Sequence, residues 1–125
     1  MLSTLLFVNK SVKEQQLLRN CLKTIRENAY LISAYSCADA LRILSHVQPD
    51  SILLDMDLPG INGYDTLKKI RVMERCKNIP VHIVIDSIYD KKRDVISREA
   101  NGVHNEPTTD EEYIKILNEI ISKVT

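Results

Sequence analysis

Short apolar runs alternate along the chain with longer amphipathic stretches. The apolar runs lie at residues 4–8, 29–36, 51–55 (SILLD), 79–86 (IPVHIVID) and, more weakly, 102–105 (GVHN). Runs of this length are typical of β-strands, and the continuous apolar character of Ile52-Leu53-Leu54 indicates a strand buried on both faces of a parallel sheet. The pattern therefore predicts five strands, with Pro80 at the start of the fourth, where proline is tolerated.

The intervals between these runs carry helical periodicity and helix-capping signals. Helices are predicted at residues 11–28, 37–47, 63–74, 89–100 and from Thr109 onward. Three of them begin with a hydroxyl residue followed three positions later by an acidic one: Ser11 and Glu14, Ser36 and Asp39, Thr109 and Glu112. The apolar stripes of the first and last helices are Val12, Leu17, Leu18, Cys21, Leu22 and Ile25, and Tyr113, Ile114, Leu117, Ile120 and Ile121. We expect both stripes to face the core.

Five strand–helix pairs in succession predict an α/β fold, with a parallel sheet, right-handed crossovers and helices on both faces. The length of 125 residues fits one domain, residues 1–125. No linker, low-complexity segment or internal repeat divides the sequence.

Composition and charge exclude several function classes. Lysine and arginine balance aspartate and glutamate, so the sequence predicts neither direct nucleic-acid binding nor attachment to an anionic membrane. Cys21, Cys37 and Cys76 are far apart and form no CxxC motif, which argues against disulfides and a zinc site and favours a cytoplasmic location. The apolar N-terminus lacks a basic leader and is too short to span a bilayer, so it is interpreted as a strand.

Polar residues follow four of the predicted strands. They are Asn9 and Lys10 after the first, Asp55 at the end of the third, Asp86 and Ser87 after the fourth, and Glu106 and Pro107 after the fifth. Because ligands of open parallel sheets bind outside the carboxyl ends of the strands, these residues are predicted to converge on one site. His46, His82 and His104 are spread along the chain and are interpreted as structural.

The segment PDSILLDMDLPGINGYDTLKKIR, residues 49–71, resembles the receiver domains of bacterial two-component response regulators. The likeness continues in IPVHIVI and in Glu106-Pro107, and it covers the whole chain. It implies a doubly wound, flavodoxin-like sheet of five strands in the order 2-1-3-4-5. It also implies that Asp55 is the phosphoacceptor, a carboxylate nucleophile that takes a phosphoryl group from a histidine kinase.

Members of this family hold Mg²⁺ with the nucleophile and an acidic pair after the first strand. They bind phosphate oxygens with a Thr or Ser hydroxyl after the fourth strand and a Lys after the fifth. This sequence has Asn9 and Lys10 at the acidic pair, Ile85 at the hydroxyl and Glu106 at the lysine. A further family aromatic on the fifth strand is here Val103. The resemblance therefore implies a degenerate site with weakened Mg²⁺ affinity, no catalytic residue and no cofactor.

Two hypotheses concern the altered site. Lys10 is predicted to replace the charge of the metal, to pair with Asp55, Glu106 or both, and so to lock the site in one state. Asp86 and Ser87 are candidates for compensation: Ser87 could supply the hydroxyl if a bulge slipped the strand register, and Asp86 could form a weak metal site with Asp55.

Three functions are compatible with the sequence. The favoured one is a non-enzymatic pseudo-receiver that works through contacts with a histidine kinase, an output domain, another receiver or a second copy of the chain. The contact surface would be the fourth helix, fifth strand and fifth helix, with Lys91, Lys92, Arg93, Arg98 and Tyr113. The alternative is a functional response regulator that is phosphorylated on Asp55 with the help of Mg²⁺. The third is a flavodoxin-like domain for a small ligand, although the glycine-poor loops argue against a flavin.

Overall fold

Five parallel strands form one sheet in the order β2-β1-β3-β4-β5 in the computed structural model, which describes residues 1–124. The strands are β1 Thr4–Val8, β2 Tyr30–Ala34, β3 Ser51–Asp55, β4 Val81–Ile85 and β5 Gly102–Asn105. The helices are α1 Val12–Ile25, α2 Cys37–Leu44, α3 Gly63–Arg71, α4 Arg93–Glu99 and α5 Asp110–Ser122, with a 3₁₀ turn at Ser87–Lys92 before α4. The predicted fold class and strand order are therefore confirmed.

The apolar runs are continuous because the sheet is covered on both faces. Alternate residues of the inner strands, such as Ile52 and Leu54, pack with residues of α2, α3 and α4. The intervening ones, such as Phe7 and Leu53, pack with residues of α1 and α5. Because side chains alternate across a strand, burial on both faces requires an apolar residue at nearly every position.

The predicted capping residues begin their helices as expected. The hydroxyl oxygens of Ser11, Ser36 and Thr109 accept hydrogen bonds from backbone N–H groups three positions later, at 3.1, 3.1 and 3.2 Å. Each bond satisfies one of the donors that a helix N-terminus leaves unpaired. The helices end earlier than predicted; α1, for example, stops at Ile25.

Two predictions are wrong: that Val12 belongs to the buried stripe of α1, and that Tyr113 belongs to a contact surface. Val12 is 72% exposed, and the first buried residue of α1 is Gln15. Tyr113 was expected both in the stripe of α5 and on a contact surface, and it is buried at 3% exposure. Tyr113 therefore belongs to the core and does not contribute to that surface.

Within residues 1–124, no helix combines the length and the apolar character that crossing a bilayer demands.

Candidate functional site

The carboxyl ends of β1, β3 and β5 meet at a small cavity of about 110 Å³. Its wall contains the predicted site residues Asn9, Lys10, Asp55 and Glu106. The residues after three of the four strands predicted to converge therefore meet here, whereas Asp86 and Ser87 after β4 do not line this cavity.

The backbone of Asp55 is held between β4 and the start of α3. The N–H of Met56 donates to the carbonyl of Val84 at 2.9 Å, and the carbonyl of Met56 accepts from Gly63 N–H at 2.9 Å. A Cβ at position 63 would collide with the Asp55 carbonyl oxygen and would lie 2.7 Å from Met56 Cα. Glycine at the first position of α3 therefore allows the helix to pack directly against the backbone that carries Asp55.

The Asp55 carboxylate is largely buried and has weak hydrogen-bond partners. Asn9 Nδ2 donates to its Oδ2 at 3.4 Å, and the N–H of Asp57 donates to its Oδ1 at 3.3 Å. The pKa of Asp55 is raised to about 6, mainly by burial and also by the nearby carboxylates of Glu106 and Asp57, whereas the Asp57 N–H and Lys10 oppose the shift. Asp55 is therefore ionised at neutral pH without strong stabilisation of its charge.

Lys10 forms its ion pair with Asp57, at 2.7 Å between Nζ and Oδ2. The prediction that Lys10 pairs with Asp55 or Glu106 is therefore wrong. Asp57 lies on the exposed loop after β3, and the two side chains meet there with 51% and 64% of their surfaces exposed. The hydrogen bond to Asp57 is the main reason that the pKa of Lys10 is raised. Lys10 acts on Asp55 only as a nearby positive charge.

Glu106 brings a further negative charge to the position where the family has lysine. The pKa of Glu106 is raised, first by burial and then by the Asp86 carboxylate. The second effect shows that the carboxylates of Glu106 and Asp86 lie close together at this part of the edge.

Asp86 and Ser87 line a separate depression with Glu106 and Arg93, and Asp55 is not among the residues that line it. The Ser87 hydroxyl donates to Asp86 Oδ1 at 3.1 Å. The register of β4 is regular on both sides, up to Asp55↔Val84 and Ile85↔Asn105, so no bulge brings Ser87 into the strand. Ile85 is buried in the core at 1% exposure. Both candidates for compensation therefore lie on the far side of Glu106 and do not line the cavity beside Asp55.

The donor atoms around Asp55 do not fit the Mg²⁺ that the fold family implies. An amide N–H₂ of Asn9 faces the carboxylate, and Asn9 Oδ1 accepts from Ser11 N–H at 2.8 Å. The ammonium group of Lys10 forms an ion pair with the carboxylate of Asp57. Mg²⁺ requires hard oxygen ligands in octahedral geometry. Here the oxygen atoms that could coordinate it already accept hydrogen bonds from N–H groups or pair with an ammonium group.

Tyr113 and Glu14 are two of the wall residues that were not predicted as part of the site. The hydroxyl of Tyr113 donates to Glu14 Oε1 at 2.6 Å, which joins α5 to α1 at the rim of the cavity. Burial is the main cause that raises the pKa of Tyr113, so its hydroxyl keeps its proton. Glu14 lies in the first turn of the helix that follows β1, and this position was the only signal in the sequence that placed it at the edge.

Comparisons with known proteins agree with this geometry. The response regulator receiver domain family matches residues 5–118. The nitrate/nitrite response regulator protein NarL of Escherichia coli is 32% identical over 82 residues, covering 63% of this chain and 36% of NarL. The chain thus spans about a third of the length of that relative. Protein PilH of Pseudomonas aeruginosa is 23% identical over 124 residues, covering 97% of this chain and 99% of PilH.

Among solved structures, the chemotaxis response regulator CheY4 of Vibrio cholerae superposes with a TM-score of 0.81 at 20% identity. The superposition covers 96% of this chain and 99% of that one, and at this identity it shows the fold. The fold, the position of Asp55 at the end of β3 and the match over residues 5–118 lead to one conclusion: this chain belongs to the response regulator receiver domain family.

Proposed function

We propose that this receiver domain of two-component signalling acts through protein contacts, and that its site is silent toward Mg²⁺-dependent phosphorylation. One observation supports this proposal most directly. The charges around Asp55 are reversed from those that phosphoryl transfer requires, with the ammonium of Lys10 on the metal side and the carboxylate of Glu106 on the phosphate side.

The physical argument concerns the charge of the transferred group. A phosphoryl group brings negative charge into the site, and catalysis depends on fixed positive groups that stabilise it. In this cavity Glu14, Asp55, Asp57 and Glu106 are carboxylates, and Lys10 is already paired with one of them. A phosphoryl group on Asp55 would therefore meet repulsion where the family provides a metal, a hydroxyl and a lysine.

The test is incubation with acetyl phosphate and Mg²⁺, read by intact mass, on the parent chain and on Asp55→Asn. We expect neither protein to gain the mass of a phosphoryl group, and we expect Mg²⁺ to leave the thermal stability of the parent unchanged. A phosphoryl adduct in the parent that is absent from Asp55→Asn would overturn the proposal.

That adduct would instead support a functional response regulator that is phosphorylated on Asp55. One observation favours this second function: Asp55 is at the phosphoacceptor position, and with a pKa of about 6 it is ionised near neutral pH. An ionised carboxylate is the form that attacks phosphorus.

The partner surface belongs to the same proposal. Lys91, Lys92 and Arg98 are exposed on the segment around α4, and the exposed carboxylates of Asp90, Asp94 and Glu99 lie on the same segment, so this face carries charges of both signs. Such a face suits a surface of complementary mixed charge on a histidine kinase, an output domain or another receiver. A second copy of the chain is tested by sedimentation velocity over a range of concentrations. If the chain sediments as a monomer at every concentration, it does not form a homodimer.

A further inference from the structure

Two histidines that are far apart in sequence meet on the sheet face covered by α5. His82 on β4 and His104 on β5 lie diagonally across neighbouring strands, with their rings stacked at 5.2 Å between centroids. His82 Nδ1 and His104 Nε2 are 2.9 Å apart, and His104 Nε2 is 3.2 Å from Glu119 Oε2 on α5. One ligand atom from each residue therefore lies within 4.8 Å of the other two.

No arrangement of protons satisfies all three atoms when both rings are neutral. If His104 Nε2 carries its proton, that single N–H is shared between His82 Nδ1 and the Glu119 carboxylate. If His82 Nδ1 carries the proton, the bare nitrogen of His104 faces a carboxylate oxygen at hydrogen-bond distance. The first arrangement leaves two acceptors on one donor, and the second directs two lone pairs at each other, so neither is favourable in a buried setting.

The charge state of the histidines suits a metal ligand. Burial, aided by His104 and Lys123, lowers the pKa of His82 to about 4. Burial also lowers the pKa of His104, with Lys123 adding to the shift and Glu119 opposing it. Histidine binds metals as neutral imidazole, and burial favours that form in both rings. The Nζ of Lys123 is held by the carbonyl of Asn101 at 3.1 Å.

The local backbone leaves room at the nitrogen atoms. Gly102 is paired with His82 across the strands. A Cβ at residue 102 would lie 2.5 Å from His82 Nδ1 and 3.1 Å from His104 Nε2. The absence of a side chain at Gly102 is what allows both nitrogens to converge.

The separations match a tetrahedral donor set. Ligands at about 2.0–2.1 Å from a tetrahedral Zn²⁺ are about 3.3 Å from one another. The observed 2.9 and 3.2 Å distances require only a slight opening of the cluster. His82 is fully buried, whereas the Glu119 side chain is 48% exposed, so the cluster is reached from the Glu119 side.

We propose that His82 Nδ1, His104 Nε2 and Glu119 bind a divalent transition-metal cation of the Zn²⁺ type, with water as the fourth ligand. On binding, the ring proton of His104 resides on Nδ1 and the Nε2 lone pair coordinates the ion. The ion then ties α5 to β4 and to the edge strand β5. This assigns a ligand role to two histidines that the sequence alone marked as structural.

The experiment is calorimetric titration of chelator-treated protein with Zn²⁺, on the parent and on the variants His104→Ala and Glu119→Gln. We expect one ion per chain and binding at least about tenfold weaker in each variant, because each loses one ligand of three. His46→Ala is the matched control, since His46 is an exposed histidine outside the cluster, and it should bind Zn²⁺ like the parent. At a hundredfold excess over Kd, Zn²⁺ should raise the Tm of the parent by about 5–10 °C.

A second measurement separates this site from binding at the three cysteines or from a fold that has been damaged. Two-bond ¹H–¹⁵N spectra of the histidine rings should show Zn²⁺ shifting the nitrogens of His82 and His104 and leaving those of His46 in place. Urea unfolding checks that the variants are folded. Absence of Zn²⁺ binding by the parent, equal binding by parent and His104→Ala, or an equal loss in His46→Ala would each overturn the proposal.

Discussion

At the scale of single residues, Asp55 lowers the stability of the fold that displays it. Its pKa is about 6 in the folded protein, against about 3.9 for an unfolded chain. Between these two values the native state binds more protons than the unfolded state, so the free energy of unfolding falls as pH rises from about 4 to about 6. Above both values the buried carboxylate reduces stability by up to about 3 kcal/mol.

We therefore predict that Asp55→Asn stabilises the protein, by up to about 3 kcal/mol at pH 7.5 and about half as much at pH 5. Urea unfolding of parent and variant at both pH values measures the difference. Asp94→Asn is the control, because Asp94 is exposed in the first turn of α4 and its loss should cost only a few tenths of a kcal/mol. A destabilised Asp55→Asn, or a difference that does not change with pH, would show that burial does not dominate the energetics of Asp55.

Lys10 is the second residue that decides what the site does. Replacing it with Asp removes a cation, frees the Asp57 carboxylate and restores one member of the acidic pair. We predict that Lys10→Asp binds Mg²⁺ at least about tenfold more tightly than the parent, because Mg²⁺ prefers anionic oxygen ligands. Calorimetry, or shifts in the amide signals of residues 55–57, measures the binding.

Lys13→Asp is the matched control for Lys10→Asp. It makes the same charge change on an exposed residue of α1 outside the cavity wall. If Lys10→Asp binds Mg²⁺ no better than the parent does, or no better than Lys13→Asp, Lys10 does not act as the replacement for the metal.

At the scale of elements, hydrogen bonds between residues close in sequence could be predicted, and contacts between distant segments could not. The hydroxyl caps at Ser11, Ser36 and Thr109 were predictable because a cap involves residues only three positions apart. The burial of Gln15 was not, because its partners lie on two different strands. Its Nε2 contacts the carbonyl oxygens of Phe7, Asn9 and Ala34 at 2.9, 3.1 and 2.9 Å.

Gln15 thus joins α1 to the carboxyl ends of β1 and β2 in the same place where the cavity begins. We predict that Gln15→Ala destabilises the fold by about 2–4 kcal/mol, because buried carbonyl groups lose their donor. Gln16→Ala is the control: Gln16 is the exposed neighbour, and its Nε2 donates only to Asn20 Oδ1, so its loss should cost under about 0.5 kcal/mol. Urea midpoints of the two variants give the comparison, and equal effects would contradict a structural role for Gln15.

At the scale of the whole molecule, the residues that determine the fold differ from those that determine the chemistry of the site. The apolar strand runs and the helix stripes carry the fold, and they predicted a parallel α/β sheet without reference to the site. The strand order came from the resemblance to the receiver family. What escaped prediction were contacts between distant segments, such as Lys10 with Asp57, His82 with His104, and Tyr113 with Glu14 across 99 positions. Such pairs depend on strand register and side-chain reach, which no local pattern specifies.

This separation predicts that the chemistry can be restored without rebuilding the fold. The variant combines Asn9→Asp, Lys10→Asp, Ile85→Thr and Glu106→Lys, which return the acidic pair, the hydroxyl and the lysine that the family resemblance implies. All four positions lie at the carboxyl ends of β1, β4 and β5, outside the strand that carries Asp55. We expect the variant to gain a phosphoryl group from acetyl phosphate in the presence of Mg²⁺, as read by intact mass, and to lose that gain when Asp55 is also changed to Asn.

The four changes are expected to act together rather than singly. Ions and donors that stabilise one transferred charge are strongly non-additive, so each single variant should remain near the parent while the combination gains activity. Ile85→Thr places a hydroxyl at a buried strand end and is the change most apt to destabilise the fold, so the unfolding midpoint of the variant must be measured with its phosphorylation. A folded variant that takes no phosphate would mean that the receiver site depends on more than these positions, and that the departure from the family extends into the geometry of the edge itself.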